Sequence, residues 1–214
     1  ISDDLTNVVT IASNSSAFAA VKQDGSVVTW GDSQNGGNIS DVSSSLNGSI
    51  DTKEIFSTKA AFAALRSDGS VVTWGDDSTG GDSQSVVSHL NGSNGVIKIA
   101  SNMSAFAAIH TDGSVTTWGF SSFGGDSSPV STQLDGSVNV AEISSTGSAF
   151  AALREDGSVI TWGNQLDGGD SSTVSTRING DIDVTSIHSA TAAFAAIRTD
   201  GSVITWGDIN NGGD

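Results

Sequence analysis

The sequence has no cysteine and no tyrosine, and it contains one proline and one methionine among 214 residues. Because no disulfide can form, cysteine usage does not indicate a redox compartment. No apolar run approaches the ~18 residues of a transmembrane helix, so we expect no membrane insertion. Basic residues are also scarce: 8 stand against 24 acidic ones, which gives a net charge of −16. Such a chain is repelled by nucleic acid, whose phosphates call for Lys and Arg.

The residue patterns of common catalytic sites are missing as well. There is no cysteine nucleophile, and His89, His110 and His188 fall at different positions of the repeat described below. No H-E-x-x-H, P-loop or G-x-S-x-G pattern occurs. We therefore expect a protein without enzymatic activity and without a cofactor.

The sequence is rich in repetition, with a period of 44 residues. A period of roughly 20 to 50 residues is typical of propellers, solenoids and other arrays. We expect one repeat domain over residues 1–214, with units at about 1–44, 45–88, 89–132, 133–176 and 177–214. The framework aromatic residues, which we expect to be structural, are Phe18, Phe62, Phe106, Phe150 and Phe194, with Trp30, Trp74, Trp118, Trp162 and Trp206.

The third copy illustrates the elements expected of each unit. Short strands are predicted at residues 96–100, 105–110 and 114–118. Asp112-Gly113 between the last two strands predicts a hairpin with a type I′ turn, which needs positive φ at both central residues. The small alanines that flank Phe106 permit close packing of neighbouring sheets.

The segment after the third strand allows two interpretations. By analogy with four-stranded blades, residues 127–136 form an outer strand. A helical turn fits the same residues, with Ser128 as the N-cap, Pro129 at the first helical position and Gly136 after the end. Val130 and Leu134 then share one face of that turn.

A single unit cannot stand alone, because its few apolar side chains do not offset the cost of ordering a whole repeat. Units must therefore stack on one another, and short strands joined by tight turns favour blades around an axis. We expect an all-β protein, a β-propeller of five 44-residue repeats with three or four short strands per blade. A β-solenoid is the less favoured alternative. Five units either close a ring or form part of a larger ring or array.

The phrase A-F-A-A-x-x-x-D-G-S-V-x-T-W-G, followed by G-G, resembles the repeat of the regulator-of-chromosome-condensation family. The resemblance extends over the whole chain and is closest to short bacterial variants from large secreted or cell-surface proteins. It implies a β-propeller that binds partners on its loop faces. The family loop G-Q-L-G is replaced here by sequences such as Gly80-Gly81-Asp82, and family propellers typically have seven blades. Nucleotide exchange and nucleosome binding are therefore not implied.

One set of candidate binding residues is basic. A basic residue follows each framework phenylalanine by four positions, and equal positions in a propeller lie on a circle. Two interpretations are open: a ring that binds an anion such as a carboxylated or sulfated glycan, or salt bridges to the D-G aspartate or a neighbouring blade. The residues are Lys22, Arg66, His110, Arg154 and Arg198.

A second set lies on the loop after each Trp-Gly pair, which varies in sequence. Phe120 and Phe123 stand there in the third unit, Leu166 in the fourth and Ile209 in the fifth. Aromatic residues on a variable loop are candidates for an interface, and local packing of the loop is the alternative interpretation.

Aspartates close to the loop glycines form a third, weaker set. Asp76, Asp82, Asp126 and Asp170 carry oxygens of the kind that Ca²⁺ prefers. Aspartate beside glycine also accepts hydrogen bonds from turn amides, and this simpler interpretation predicts no metal site.

The favoured function is a noncatalytic binding or structural repeat module of an extracellular or cell-surface protein. Its blade loops would contact a protein or a glycan, and further copies of the same repeat are additional candidate partners. One alternative is a five-bladed lectin with a glycan site on each blade. Another is a propeller that inhibits or regulates a second protein. A lectin favours exposed aromatic platforms, whereas we expect the framework tryptophans to be partly buried.

Overall fold

The computed structural model describes residues 5–214, which form five antiparallel sheets of three strands each. Each sheet is one blade, in which every strand pairs with the next along the chain. The expectation of an all-β propeller is thereby confirmed. In chain order the strands are β1 Val8–Ser13, β2 Ala17–Lys22, β3 Val27–Gly31, β4 Thr52–Ser57, β5 Ala61–Arg66, β6 Val71–Gly75, β7 Val96–Ser101, β8 Ala105–His110, β9 Val115–Gly119, β10 Val140–Ser145, β11 Ala149–Arg154, β12 Val159–Gly163, β13 Val184–Ser189, β14 Ala193–Arg198 and β15 Val203–Gly207.

Short helical segments, and not a fourth strand, connect one blade to the next in the described chain. In blade 3 the outer segment is a 3-10 helix over Ser128–Gln133. Its N-cap is Ser127, one residue before the predicted position, because Asp126 already accepts the Ser128 N–H at 2.9 Å. The segments after Trp-Gly are Ser33–Gly37, Asp77–Thr79, Ser121–Phe123, Gln165–Gly169 and Ile209–Asn211, and the outer segments are Ser40–Ser45, Gln84–Val86, Ser128–Gln133 and Ser172–Arg177.

The D-G turns are not of the predicted type I′. Gly113 has a φ of 77°, but Asp112 does not share a positive φ. The Gly113 N–H donates to the His110 carbonyl at 3.0 Å, and the His110 N–H donates to the Ser114 carbonyl at 2.9 Å. This pattern is a three-residue loop with a glycine bulge. The Asp112 carboxylate accepts the Ser114 N–H and Oγ–H at 3.0 and 2.6 Å, and these bonds stabilise the turn without a positive φ at Asp112.

The hydrophobic core lies between the blades. In the first interface, blade 1 contributes Ala17 and Ala19, and blade 2 contributes Ile55, Phe62 and Trp74. The same repeat positions form the other three interfaces. We call the side of a blade that faces the following blade its forward face, and the opposite side its back face. Since each core needs two faces, the prediction that a unit cannot stand alone agrees with this packing.

At each interface the framework aromatic residues pack against, and hydrogen-bond to, a loop glycine of the preceding blade. Phe62 and Trp74 stack with ring centroids 5.3 Å apart, and the Trp74 indole N–H donates to the Gly36 carbonyl of the preceding blade at 3.0 Å. Gly36 has a φ of 95°, and a methyl group there would lie 2.6 Å from Phe62 Cδ2. The same hydrogen bond joins Trp118 to Gly80, Trp162 to Gly124 and Trp206 to Gly168.

The row of blades is open between blade 5 and blade 1. Among residues 5–214 the core clusters join only consecutive blades. Phe18 on the back face of blade 1 is 44% exposed, whereas its four counterparts are buried. The five blades therefore form an open arc.

Candidate functional site

The two ends of each blade carry different loops. Ala105 pairs with Gly119 at one end of blade 3, whereas Ile109 pairs with Val115 next to the D-G turn at the other end. The segment after Trp-Gly and the loop between the first two strands therefore lie together. We call this end of the arc the loop rim and the opposite end the turn rim.

On the loop rim, four of the five post-tryptophan segments begin with a capping side chain. Asp32, Asp76, Asn164 and Asp208 accept the backbone N–H two residues later at 2.8, 2.8, 2.9 and 2.7 Å. Phe120 occupies this position in blade 3 and makes no such bond. Its side chain is 46% exposed. A missing cap costs on the order of 1 kcal/mol.

Phe120 is held by its neighbours in blade 3. Its ring meets Phe123 edge-on at a centroid distance of 5.4 Å, and Phe123 is half-buried against the core between blades 3 and 4. The Asn102 amide donates to the Phe123 carbonyl at 2.7 Å. Phe123 therefore anchors the segment, and Phe120 is presented to solvent.

Exposed apolar side chains continue along the loop rim. Leu166 on blade 4 and Ile209 on blade 5 are 79% and 72% exposed. Met103 on the adjacent loop of blade 3 is 52% exposed, and sequence reasoning did not select it. Met103 is the one methionine of the chain, and this rarity is the feature of the sequence that could have drawn attention to it. Blades 1 and 2 carry Asp32, Gln34, Asp76 and Asp77 on the same rim, so apolar and acidic surfaces lie side by side.

The basic circle lies on the turn rim. Arg154 and Arg198 pair with Asp156 and Asp200 at 2.5 and 3.2 Å, and the arginine side chains are only 14% exposed. These are the salt bridges to the D-G aspartate that one interpretation predicted. The anion-binding interpretation stays a prediction, but these two guanidinium groups already have a partner.

The other members of the circle differ from one another. Arg66 donates to the Ser70 hydroxyl at 2.7 Å and to the Ser45 carbonyl of the preceding outer segment at 3.2 Å. His110 is 1% exposed, and its ring nitrogens bond the Asn94 carbonyl and the Thr116 hydroxyl, both at 2.8 Å. Lys22 is half-buried. The five residues of the circle therefore share a position in the repeat, but they do not form an exposed cationic surface.

The D-G aspartates have lowered pKa values. Hydrogen bonds from the Asn94 side chain and then from Ser114 lower the pKa of Asp112 to about 2. The Ser26 and Ser202 hydroxyls lower the pKa of Asp24 and Asp200. These carboxylates thus stabilise the turns in their charged form.

The weaker calcium candidates are also used locally. Asp76, Asp82, Asp126 and Asp170 each accept a backbone N–H of the segment that follows, at 2.8, 2.8, 2.9 and 2.8 Å. Bonds from the Ser128 and Ser172 backbone lower the pKa of Asp126 and Asp170. Within residues 5–214, no three metal-binding side chains come close enough to hold an ion.

Four of the five framework tryptophans offer no platform for a sugar. Trp74, Trp118, Trp162 and Trp206 are between 1% and 5% exposed, and each indole N–H is bonded across a blade interface. Across the described residues, no helix has the length and apolar character needed to span a membrane.

Solved structures show the same fold. Prp20p from Saccharomyces cerevisiae is 16% identical, with 95% of this chain and 58% of that chain aligned at a TM-score of 0.61. Human WBSCR16 is 17% identical, with coverages of 94% and 61% and a TM-score of 0.57. The ectodomain of the Physcomitrella patens receptor kinase CR4 is 15% identical, with coverages of 94% and 52% and the same TM-score of 0.57.

The chain spans between about half and three fifths of the length of these three neighbours. No protein-family model matches the chain, and neither does the sequence of any curated protein. A second structure describes Prp20 as yeast RCC1. The fold is therefore that of an RCC1-like repeat propeller, as the resemblance implied.

Proposed function

We propose that the chain is a noncatalytic binding module that holds a protein partner against the loop rim of blades 3 to 5. The observation that carries this proposal is Phe120, which replaces a capping aspartate and leaves its ring 46% exposed. Solvent exposure of an aromatic ring at the expense of a cap is typical of a residue kept for binding. Leu166 and Ile209 extend the apolar side chains to the next two blades.

The chemistry of the rim also describes the partner. The apolar side chains of blades 3 to 5 suit an apolar anchor, which interfaces bury at their centre. Asp32, Asp76 and Asp77 on blades 1 and 2 suit basic residues flanking that anchor. The expected partner is a protein with an apolar patch bordered by Lys or Arg.

The solved structures support a protein partner, and one of them supports an extracellular location. Prp20p is described with binding to Gsp1p and histones, and yeast RCC1 is described bound to Kap60. The CR4 fold neighbour is a receptor ectodomain. We carry over binding of a protein and placement outside the cell, but none of these partners, because identities of 15% to 16% transfer no binding residue.

The test compares the wild type with Phe120→Asp. The proteins that the wild type retains from the secreted and cell-surface fraction of the source organism are identified and purified. Each is then titrated against the wild type and against Phe120→Asp. The matched control is Val87→Asp, since Val87 is 50% exposed on the outer side of blade 2, away from the loop rim.

We expect Phe120→Asp to weaken binding of the purified partner by at least roughly tenfold, as for a hot-spot aromatic. Val87→Asp should leave it unchanged. Equal binding by the wild type and Phe120→Asp would place the interface elsewhere and reject the proposal.

A further inference from the structure

The open seam leaves two apolar faces without a neighbouring blade. On the back face of blade 1, Ile11 is 56% exposed, whereas its counterparts Ile55, Ile99, Ile143 and Ile187 are between 3% and 9% exposed. On the forward face of blade 5, Ile197 and Val203 are 38% and 54% exposed. These side chains occupy positions that form the buried core at the four closed interfaces.

The forward face of blade 5 also contains a cavity at the position where a phenylalanine packs in the closed interfaces. At the first closed interface, Phe62 packs against the forward face that carries Ala17 and Ala19. It also lies against Gly36, where an added methyl group would be 2.6 Å from its ring. The same repeat positions in blade 5 line a cavity of about 230 Å³. They are Ala193, Ala195 and Gly212, and nothing lies within 4 Å of an added methyl group at Gly212.

The two open faces also carry complementary hydrogen-bonding groups. At every closed interface a tryptophan N–H donates to a loop glycine carbonyl. Trp30 Nε1 makes no hydrogen bond to any residue from 5 to 214, and Gly212 holds the corresponding acceptor at the other end of the arc.

A backbone ladder between the blades shows the same match. The Ser15 N–H of blade 1 donates to the Lys59 carbonyl of blade 2 at 3.2 Å. Equivalent bonds join each blade to the next, and in the last one the Gly147 N–H of blade 4 donates to the Thr191 carbonyl of blade 5 at 2.8 Å. At the two ends of this ladder, the Ser15 carbonyl and the Thr191 N–H have no partner in it. A donor on blade 5 is therefore matched by an acceptor on blade 1.

We propose that the forward face of blade 5 binds the back face of blade 1 of a second copy of this chain, with Phe18 of that copy in the cavity over Gly212. The cavity, the tryptophan donor and the ladder all specify a blade of this repeat, which a second copy of this chain supplies. The contact continues the four interfaces inside the chain. It is heterologous, so further copies add head to tail and no two-fold dimer forms.

The charge of the chain sets the conditions of the test. Two copies of net charge −16 repel each other, and salt screens that repulsion while apolar burial persists. Self-association should therefore strengthen with both protein concentration and sodium chloride. Sedimentation velocity of the intact chain measures it.

Two single variants distinguish this contact from other modes of association. Ile11→Asp damages only the back face of blade 1, and Ile197→Asp damages only the forward face of blade 5. We expect each variant alone to associate at least roughly tenfold more weakly than the wild type. Mixed in equal amounts, they should form a dimer and nothing larger, because each keeps one intact face. Val87→Asp is again the exposed apolar control and should associate like the wild type.

Three results would overturn the proposal. The first is a wild type that stays monomeric at high concentration in high salt, which includes closure of the arc within one chain. The second is association that both aspartate variants retain. The third is a mixture of the two variants that stays monomeric or grows beyond a dimer.

Discussion

The indole N–H of Trp74 donates to the carbonyl oxygen of Gly36, 38 residues earlier and one blade back, at 3.0 Å. Trp74→Phe keeps an aromatic ring but leaves this buried carbonyl without a donor. A buried group that loses its partner costs about 1–3 kcal/mol, so the free energy of unfolding should fall by that amount in urea titrations.

Trp30→Phe is the matched control. Trp30 is half-buried and has no hydrogen-bond partner among residues 5–214, so in dilute, low-salt protein its replacement should cost well under 1 kcal/mol, as is usual away from the core. Equal costs for the two variants would show that the hydrogen bond across the interface contributes little.

The framework phenylalanines should differ according to their place in the row. Phe106→Ala removes a ring that is 0% exposed between blades 2 and 3, and such truncations cost about 3–5 kcal/mol. Phe18→Ala removes a ring that is 44% exposed and should cost less than half as much in the monomer. Thermal and urea unfolding of both variants measures the difference. Similar losses would mean that Phe18 is buried in solution and the arc is closed.

Acid should weaken the D-G turns. The pKa of Asp112 is about 2 in the folded protein, below the ordinary value of about 3.9 in an unfolded chain. Its charge therefore stabilises the fold fully above about pH 4, and this contribution is lost as the pH falls towards 2. The stability difference between the wild type and Asp112→Asn should be constant from neutral pH down to about 5 and should shrink below about 4.

Ser114→Ala provides the control for that titration. It removes a hydroxyl that donates to Asp112 at 2.6 Å, so the folded pKa should move towards the unfolded value, and the acid loss should be smaller and complete at a higher pH. A difference between the wild type and Asp112→Asn that does not change down to pH 2 would mean that the aspartate charge does not support the turn.

Much of the fold follows from the sequence because the repeat is regular. The positions of Phe106 and Trp118 predict their strands, and the Val130 and Leu134 spacing favours the helical turn that is present. The turn type at Asp112-Gly113 was predicted wrongly, because the hydrogen bonds from Ser114 outweigh the intrinsic preference of the dipeptide.

Other features could not be read from the sequence. Phe18 and Phe62 both lie in the sequence A-F-A-A, and their place in the row makes one exposed and the other buried. The sequence marks Phe120 and Leu166 as candidates only through the variability of their loop. The missing cap at Phe120 follows only from the structure, in which Asp32 and Asp76 accept backbone N–H groups at the same repeat position.

The most direct test of the account is the free energy of unfolding of Phe120→Asp, measured in urea beside the wild type. If Phe120 is kept for binding, an aspartate there restores the cap by accepting the Ser122 N–H, and this gain of about 1 kcal/mol should at least offset the lost contacts of the half-buried ring, so stability should not fall. Asp76→Ala in blade 2 is the matched loss of the same cap and should lower stability by a similar amount. A fall in the stability of Phe120→Asp would show that the ring serves local packing, and this would contradict the assignment of the loop rim as the binding surface.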